Sequence, residues 1–141
     1  MTSLPPSAFT KRIEIRWRDM DAFKHVNNAV YLTYLEEARD GWFLQVLGNG
    51  LLLNNFVLAR CAVDYRTPVT QEDGLVDVEL KCTRVGRSSV TTSERIIVVG
   101  DGRLAAEAEA VLVHYDWETG KSRPLTDEIA TAFGAGCSEP A

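Results

Sequence analysis

One stretch of this chain carries a helical period and nearly everything after it carries a strand period. That asymmetry restricts the possible architectures more than any other feature. Between residues 29 and 47, Tyr31, Leu35, Ala38, Trp42 and Val46 recur at spacings of three and four, which aligns apolar side chains along one side of an α-helix. Asn27 or Asn28 is a suitable N-cap, and Gly48 a suitable C-terminal stop. At about 1.5 Å per residue such a helix is roughly 30 Å long, comparable to the width of a small domain. Leu32, Tyr34 and Phe43 spread the apolar surface over more than half the circumference, which predicts a helix enclosed by other structure.

The enclosing structure is a sheet. From Thr10 to Trp17 the residues alternate, with Ile13, Ile15 and Trp17 on one side and Arg12, Glu14 and Arg16 on the other, the period of a half-buried strand. After a connection at 48–55, strands are predicted over 56–66, 75–85, 89–99 and 103–117, with short turns at Gly86-Arg87-Ser88 and Asp101-Gly102. Short turns impose antiparallel pairing, so the fold class is α+β, an antiparallel β-sheet with one long helix. Alanine is a poor strand former, and Ala106, Ala108 and Ala110 on one face of the last strand suit a close approach of helix to sheet. A weak helix is expected at 126–133. The reading is one domain over 10–133, with a flexible lead-in at 1–9 and a disordered tail at 134–141.

Composition removes several functional classes. The formal net charge of -5 over 141 residues leaves no basic excess to neutralise phosphates, so no nucleic-acid partner is expected. Cys61, Cys82 and Cys137 are odd in number and far apart. That spacing gives neither a disulfide framework nor a zinc site and suits the cytoplasm. The N-terminal residues show no basic segment followed by an apolar one, so no signal peptide is expected. The apolar run at 50–59 is interrupted by Asn54 and Asn55 and is too short to span a bilayer, so no membrane partner is expected. No metal-ligand cluster and no glycine-rich nucleotide loop is present, so no cofactor is implied.

The polar residues concentrate where the first strand runs into the helix: Asp19, Asp21, His25, Asn27 and Asn28. Such a loop is an odd preface to an apolar helix if it serves only a core. It makes chemical sense if the helix N-terminus is the floor of an active site. The stretch Asp21-Ala22-Phe23-Lys24-His25-Val26-Asn27-Asn28-Ala29, then Tyr31 and Glu36-Glu37-Ala38-Arg39, resembles the hotdog-fold thioesterases. The similar group is the 4-hydroxybenzoyl-CoA thioesterase and YbgC-like acyl-CoA thioesterases. Asp64-Tyr65 with Pro68, Val85-Gly86 with Ser88-Ser89, and Asp116 with Thr119-Gly120-Lys121 and Arg123-Pro124 occur in the same order.

The resemblance implies a sheet wrapped around the central helix, a homodimer or homotetramer, and an acyl-CoA substrate hydrolysed to a carboxylic acid and free CoA. It puts Asp21 at the catalytic carboxylate, as general base or nucleophile. The bland reading of Asp21 is a turn aspartate, and Asp19 is read as the structural member of the pair. His25 matches a histidine implicated in plant acyl-ACP thioesterases, although Phe23 stands where those enzymes place an asparagine. Its alternative is a loop histidine donating to a backbone carbonyl. Asn27, Asn28, Ala29 and Tyr31 fall at the helix start. There the backbone N–H groups near Asn28 and Ala29 are candidate oxyanion donors, and Asn28 joins Asp21 and His25 as a candidate catalytic residue. Asp64 is a further acidic candidate whose alternative is a strand-edge residue. Arg87 and Ser88 match a turn that contacts CoA phosphates in the family. The rival functions are an acyl-ACP thioesterase and a non-catalytic acyl-CoA-binding protein. Glu36, Glu37 and Arg39 are expected to form a salt-bridged helix face, and His114 to be a packing or interface residue.

Overall fold

The structure, a computed structural model, describes residues 8–48, 55–134 and 137. In chain order the elements are β1 (Ala8–Glu14), α1 (Asn28–Leu47), β2 (Phe56–Tyr65), β3 (Leu75–Val85), β4 (Ser89–Val98), β5 (Leu104–Asp116), β6 (Lys121–Ser122) and α2 (Asp127–Gly134). Single 3₁₀ turns lie at Trp17–Asp19 and Gln71–Asp73. The sheet order is β1-β3-β4-β5-β2, every pair antiparallel, with β6 continuing the pairing of β5. The short turns foreseen after β3 and β4 make those strands sequential neighbours. At Asp101-Gly102, Gly102 adopts φ 76° and Asp101 accepts the Arg103 N–H at 3.0 Å, a left-handed turn position that glycine fills without strain.

The helix lies across the sheet with a stripe of one period buried: Tyr31, Tyr34, Leu35, Ala38, Arg39, Trp42 and Phe43. Its first half packs with Val76, Val78, Ile96, Val98, Ala106 and Ala108. Its second half packs with Phe56, Leu80, Val90, Leu112 and Phe133. Ala106, Ala108 and Ala110 are all buried, as the close helix–sheet approach requires. Mid-helix Gly41 serves the same end, since a Cβ there would sit 2.7 Å from the Phe9 ring of β1.

Several expectations are corrected. The first strand starts at Ala8 and stops at Glu14, so Phe9 belongs to the core and Trp17 is 78% exposed on a turn. Residues 1–7 of the expected lead-in lie outside the described residues. So does most of the expected tail, although Cys137 pairs with Cys82 of β3 as an isolated bridge. Among the described residues the helix is covered on one side, and Leu32 and Leu44 are 43% and 48% exposed. Arg39 does not join Glu36 and Glu37 on the surface. It is buried and makes a two-pronged contact with Glu94 of β4 at 2.8 and 2.9 Å, with Thr92 donating to the same carboxylate. The stripe of period 3.6 passes through position 39, so the side chain faces the sheet whatever its charge. His114 packs as expected, buried against Phe56 with Nδ1 3.0 Å from the Pro124 carbonyl.

Candidate active site

After Glu14 the chain leaves the sheet, and Asp19 takes over as an anchor. Its buried carboxylate accepts from the Arg16 N–H at 2.9 Å, the Arg16 guanidinium at 2.9 and 3.2 Å, and the Tyr34 hydroxyl at 2.7 Å. Burial alone would raise the Asp19 carboxyl, but those donors outweigh it and hold it below the ordinary range. The Asp19 carbonyl also accepts the Asn27 N–H at 2.9 Å. This acid therefore joins the segment after β1, the helix start and the second turn of the helix.

From that anchor the chain makes a closed turn. The Asp21 N–H donates to the His25 carbonyl and the Lys24 N–H to the Asp21 carbonyl, both at 3.0 Å. Closing so tight a loop puts Lys24 at φ 63°, a left-handed conformation costly for a residue with a side chain. Val26 then donates to Val69 at 2.7 Å, fastening the turn to the segment before β3.

The carboxylate of Asp21 projects from this turn, half-buried. One oxygen accepts the Phe23 N–H at 2.9 Å, and the other has only a long 3.4 Å contact with the Asn27 amide. Asn27 is the N-cap of α1, accepting the Ala29 N–H at 2.8 Å through its side chain and the Val30 N–H at 2.8 Å through its carbonyl. The Ala29 N–H is therefore taken up by the cap. Asp21 thus sits at the positive end of a twenty-residue helix.

Two grooves meet at Asp21 and His25. The larger, about 730 Å³, runs past Trp17, Arg18, Met20, Lys24 and Gln71. The smaller, about 420 Å³, runs past Phe23, Val26, Asn28, Tyr31, Tyr65 and Pro68. The Tyr31 and Tyr65 rings meet edge-to-face at 5.1 Å, and the Tyr65 hydroxyl donates to the Asn28 carbonyl at 2.8 Å. Among the described residues no group of His, Cys, Asp and Glu is arranged to hold a metal, and no helix is long and apolar enough to cross a membrane.

The chain thus brings together Asp21, His25, Asn28 and Tyr31, with Asn27 and Ala29 forming the cap beneath them. It does not bring Asp64 there. Tyr65 faces Tyr31, so strand alternation turns Asp64 to the opposite face, where its side chain is 76% exposed and 3.9 Å from Arg66. Arg87 and Ser88 are also elsewhere. Their carbonyls receive Leu125 and His114 N–H groups at 2.8 Å, at the end of the sheet marked by the β3–β4 turn. The eleven residues of β3 separate that turn from the grooves by about 35 Å. Trp17 lines the larger groove because the alternation that the sequence carries from Thr10 to Trp17 ends as a strand at Glu14.

Comparison with known proteins agrees with this architecture. Residues 15–133 match the family model described as the thioesterase-like superfamily. The long-chain acyl-CoA thioesterase FadM of Escherichia coli is 31% identical over 121 residues, covering 84% of this chain and 91% of FadM. A thioesterase of Thermus thermophilus, solved with coenzyme A and zinc, superposes with a TM-score of 0.83 at 34% identity, covering 94% and 96% of the two chains. The 1,4-dihydroxy-2-naphthoyl-CoA thioesterase of Synechocystis shares the fold, with a TM-score of 0.79 at 21% identity over 90% of this chain and 96% of that one. The chain belongs to the thioesterase-like superfamily and is a thioesterase of the hotdog fold.

Proposed function

We propose that the protein hydrolyses acyl-CoA thioesters to a carboxylic acid and free CoA, with Asp21 as the reacting carboxylate and the Asn28 N–H as oxyanion donor. The observation that carries this is an accessible, half-buried carboxylate at a helix N-terminus where two grooves meet. As general base, Asp21 takes a proton from water whose oxygen adds to the thioester carbon. The carbonyl oxygen becomes an oxyanion beside the helix start, and collapse expels the CoA thiolate, which takes up a proton. As nucleophile, Asp21 adds to the thioester carbon, the C–S bond breaks to expel the CoA thiolate, which takes up a proton, and water then hydrolyses the resulting anhydride to the acid and free Asp21. The smaller groove, lined by Val26, Tyr31 and Tyr65, suits an apolar acyl chain such as the one named for FadM. His25, exposed at the junction of the grooves, assists there as a proton carrier.

The β2 edge supports a homodimer. On its β5 side β2 is paired from Phe56 to Tyr65, and its other edge has no strand among the described residues. Leu58 and Tyr65 are about half exposed. A long edge with apolar side chains is a template for a second strand, and a second copy would also cover the open side of α1.

The test is thiol release from a panel of aromatic and aliphatic acyl-CoA esters. Asp21→Asn should reduce kcat by about 10²–10⁴-fold with unchanged thermal unfolding; full activity in that variant removes the reading. Release from acyl carrier protein alone points to the acyl-ACP enzyme instead. Label in Asp21 after a single turnover in ¹⁸O water identifies the nucleophile, because only anhydride opening at the Asp21 carbon puts it there.

A further inference from the structure

The cysteines are far apart in the sequence, but the fold brings two of them together. β1 pairs with β3 as far as Ala8 opposite Lys81, and at the next residue Cys82 takes Cys137 as a parallel partner. The last helix delivers Cys137 to that place. Phe133 of α2 is buried among Trp42, Phe43 and Phe56, and the Cys137 N–H then donates to the Gly134 carbonyl at 3.1 Å. We infer that Cys82 and Cys137 form an oxidation site, at which hydrogen peroxide converts two thiols into a disulfide that fastens the chain after α2 to β3.

Paired strand residues stand about 4.8 Å apart, inside the range of roughly 4.4–6.8 Å between Cα atoms that a disulfide spans. Both side chains lie on the helix side of the sheet. Cys82 belongs to the cluster of Trp42 and Leu80, Cys137 packs against that cluster, and the two sulfurs are hydrogen-bonded. Their exposures set the order of events. Cys82 is 1% exposed, whereas Cys137 is only partly buried, so Cys137 meets the oxidant first. Its sulfur attacks one peroxide oxygen, the O–O bond breaks, and one water leaves behind a sulfenic acid. The Cys82 sulfur then displaces the hydroxyl from the Cys137 sulfur, and that hydroxyl takes the Cys82 proton and departs as the second water. Two thiols are oxidised to one S–S bond and one peroxide is reduced to two waters. Cys61 is too distant to compete. It lies in the same row of the sheet, opposite Ala110, which faces Thr92, which faces Cys82. That is three strands, roughly 14 Å.

The bond closes a loop of about 55 residues, and a cross-link of that span stabilises a domain by constraining its unfolded chain. The test is treatment of the purified, reduced protein with hydrogen peroxide, followed by peptide mass spectrometry and thermal unfolding. The expected result is a peptide joining Cys82 to Cys137, lighter by two hydrogens than its reduced halves together. Tm should rise by roughly 10 °C, and dithiothreitol should reverse both changes. Cys137→Ser should unfold where the reduced wild type does and respond to peroxide in neither readout, whereas Cys61→Ser should keep both responses. Cys137 carried to sulfinic or sulfonic acid beside a Cys82 thiol overturns the inference, as does a disulfide between two chains. So does an intact pair of thiols after treatment, or a Cys82–Cys137 bond that leaves Tm unmoved or lowers it. None of these readouts needs turnover, so the site stands or falls apart from the hydrolase reading.

Discussion

Arg39 and Glu94 provide the sharpest test of the interior. Their side chains are 5% and 0% exposed, joined by bonds of 2.8 and 2.9 Å. Burial alone would lower the Arg39 guanidinium, but the Glu94 carboxylate reverses that and holds it above its ordinary value. Replacing Arg39 with Met leaves Glu94 buried and charged with only the Thr92 hydroxyl on it. Breaking one partner of such a pair costs about 3–5 kcal/mol. For a domain of this size that lowers Tm by roughly 10 °C or more. Glu94→Leu should cost a similar amount by stranding the guanidinium, whose other neighbour is the Cys61 sulfur at 3.5 Å. Together the two changes leave no orphaned charge, so Arg39→Met/Glu94→Leu should be more stable than either single variant, with a coupling of about 3 kcal/mol or more. Urea unfolding at fixed protein concentration measures this. Single variants each within about 1 kcal/mol of wild type, or strictly additive effects, would refute the claim that the pair is desolvated.

The remaining predictions concern the site anchor, a buried thiol and the open edge. Asp19 titrates below its unfolded value, so its contribution to stability is complete above the unfolded pKa of about 3.9 and is lost as pH falls through the folded value. Asp19→Asn should therefore be less stable at pH 7 and decline less steeply below about pH 4, read by Tm against pH; parallel curves for the two proteins would contradict this. Burial, and then its hydrogen bond with Cys137, push the Cys82 thiol up to about 12. Native protein at pH 8 should leave Cys82 unalkylated, with thiolate on the order of 10⁻⁴, and rapid labelling there by mass spectrometry would count against its burial. Leu58→Lys places a charge beside the β2 edge that has no strand partner among the described residues and should shift sedimentation of the proposed dimer toward monomer; a dimer that persists in the variant would put the interface elsewhere.

The elements were legible where one period ran undisturbed. The strand over 75–85 alternates from Val76 to Cys82 and appears as β3 over the same residues, with a register shift only at Cys82/Arg84, and the α1 stripe put Tyr31, Leu35, Ala38 and Trp42 inside. Legibility failed where tertiary contacts overruled local pattern. Ile15 keeps its strand-like burial, but its N–H goes to Gly74 at 2.9 Å and the chain turns, so Trp17 escapes the alternation that Ile13 and Ile15 suggested. Arg39 was misplaced because its partner lies 55 residues away, a distance over which charge patterning along a helix says nothing. Asp64 lies at the groove's end of β2 but on the opposite face from Tyr65, and Arg87 lies at the far end of β3 because a β-meander puts successive turns at opposite ends, neither of which residue type alone reveals.

The two acids of the loop show what burial adds to sequence. Asp19 and Asp21 are two residues apart and chemically identical, yet one is consumed and the other is available. Asp19 receives a backbone N–H, a guanidinium and a hydroxyl, and a carboxylate so satisfied has neither the basicity nor the room to attack anything. Asp21 receives one firm N–H and leaves its second oxygen with a 3.4 Å neighbour in the direction of the helix start. That availability depends on the first acid. Asp19 holds Asn27 through its carbonyl, and Asn27 caps the helix and reaches the second Asp21 oxygen at 3.4 Å. In the proposed reaction a thioester carbon placed between Asp21 and the helix start is open to attack from one side and to charge stabilisation from the other, and Asp19 keeps that spacing through Asn27.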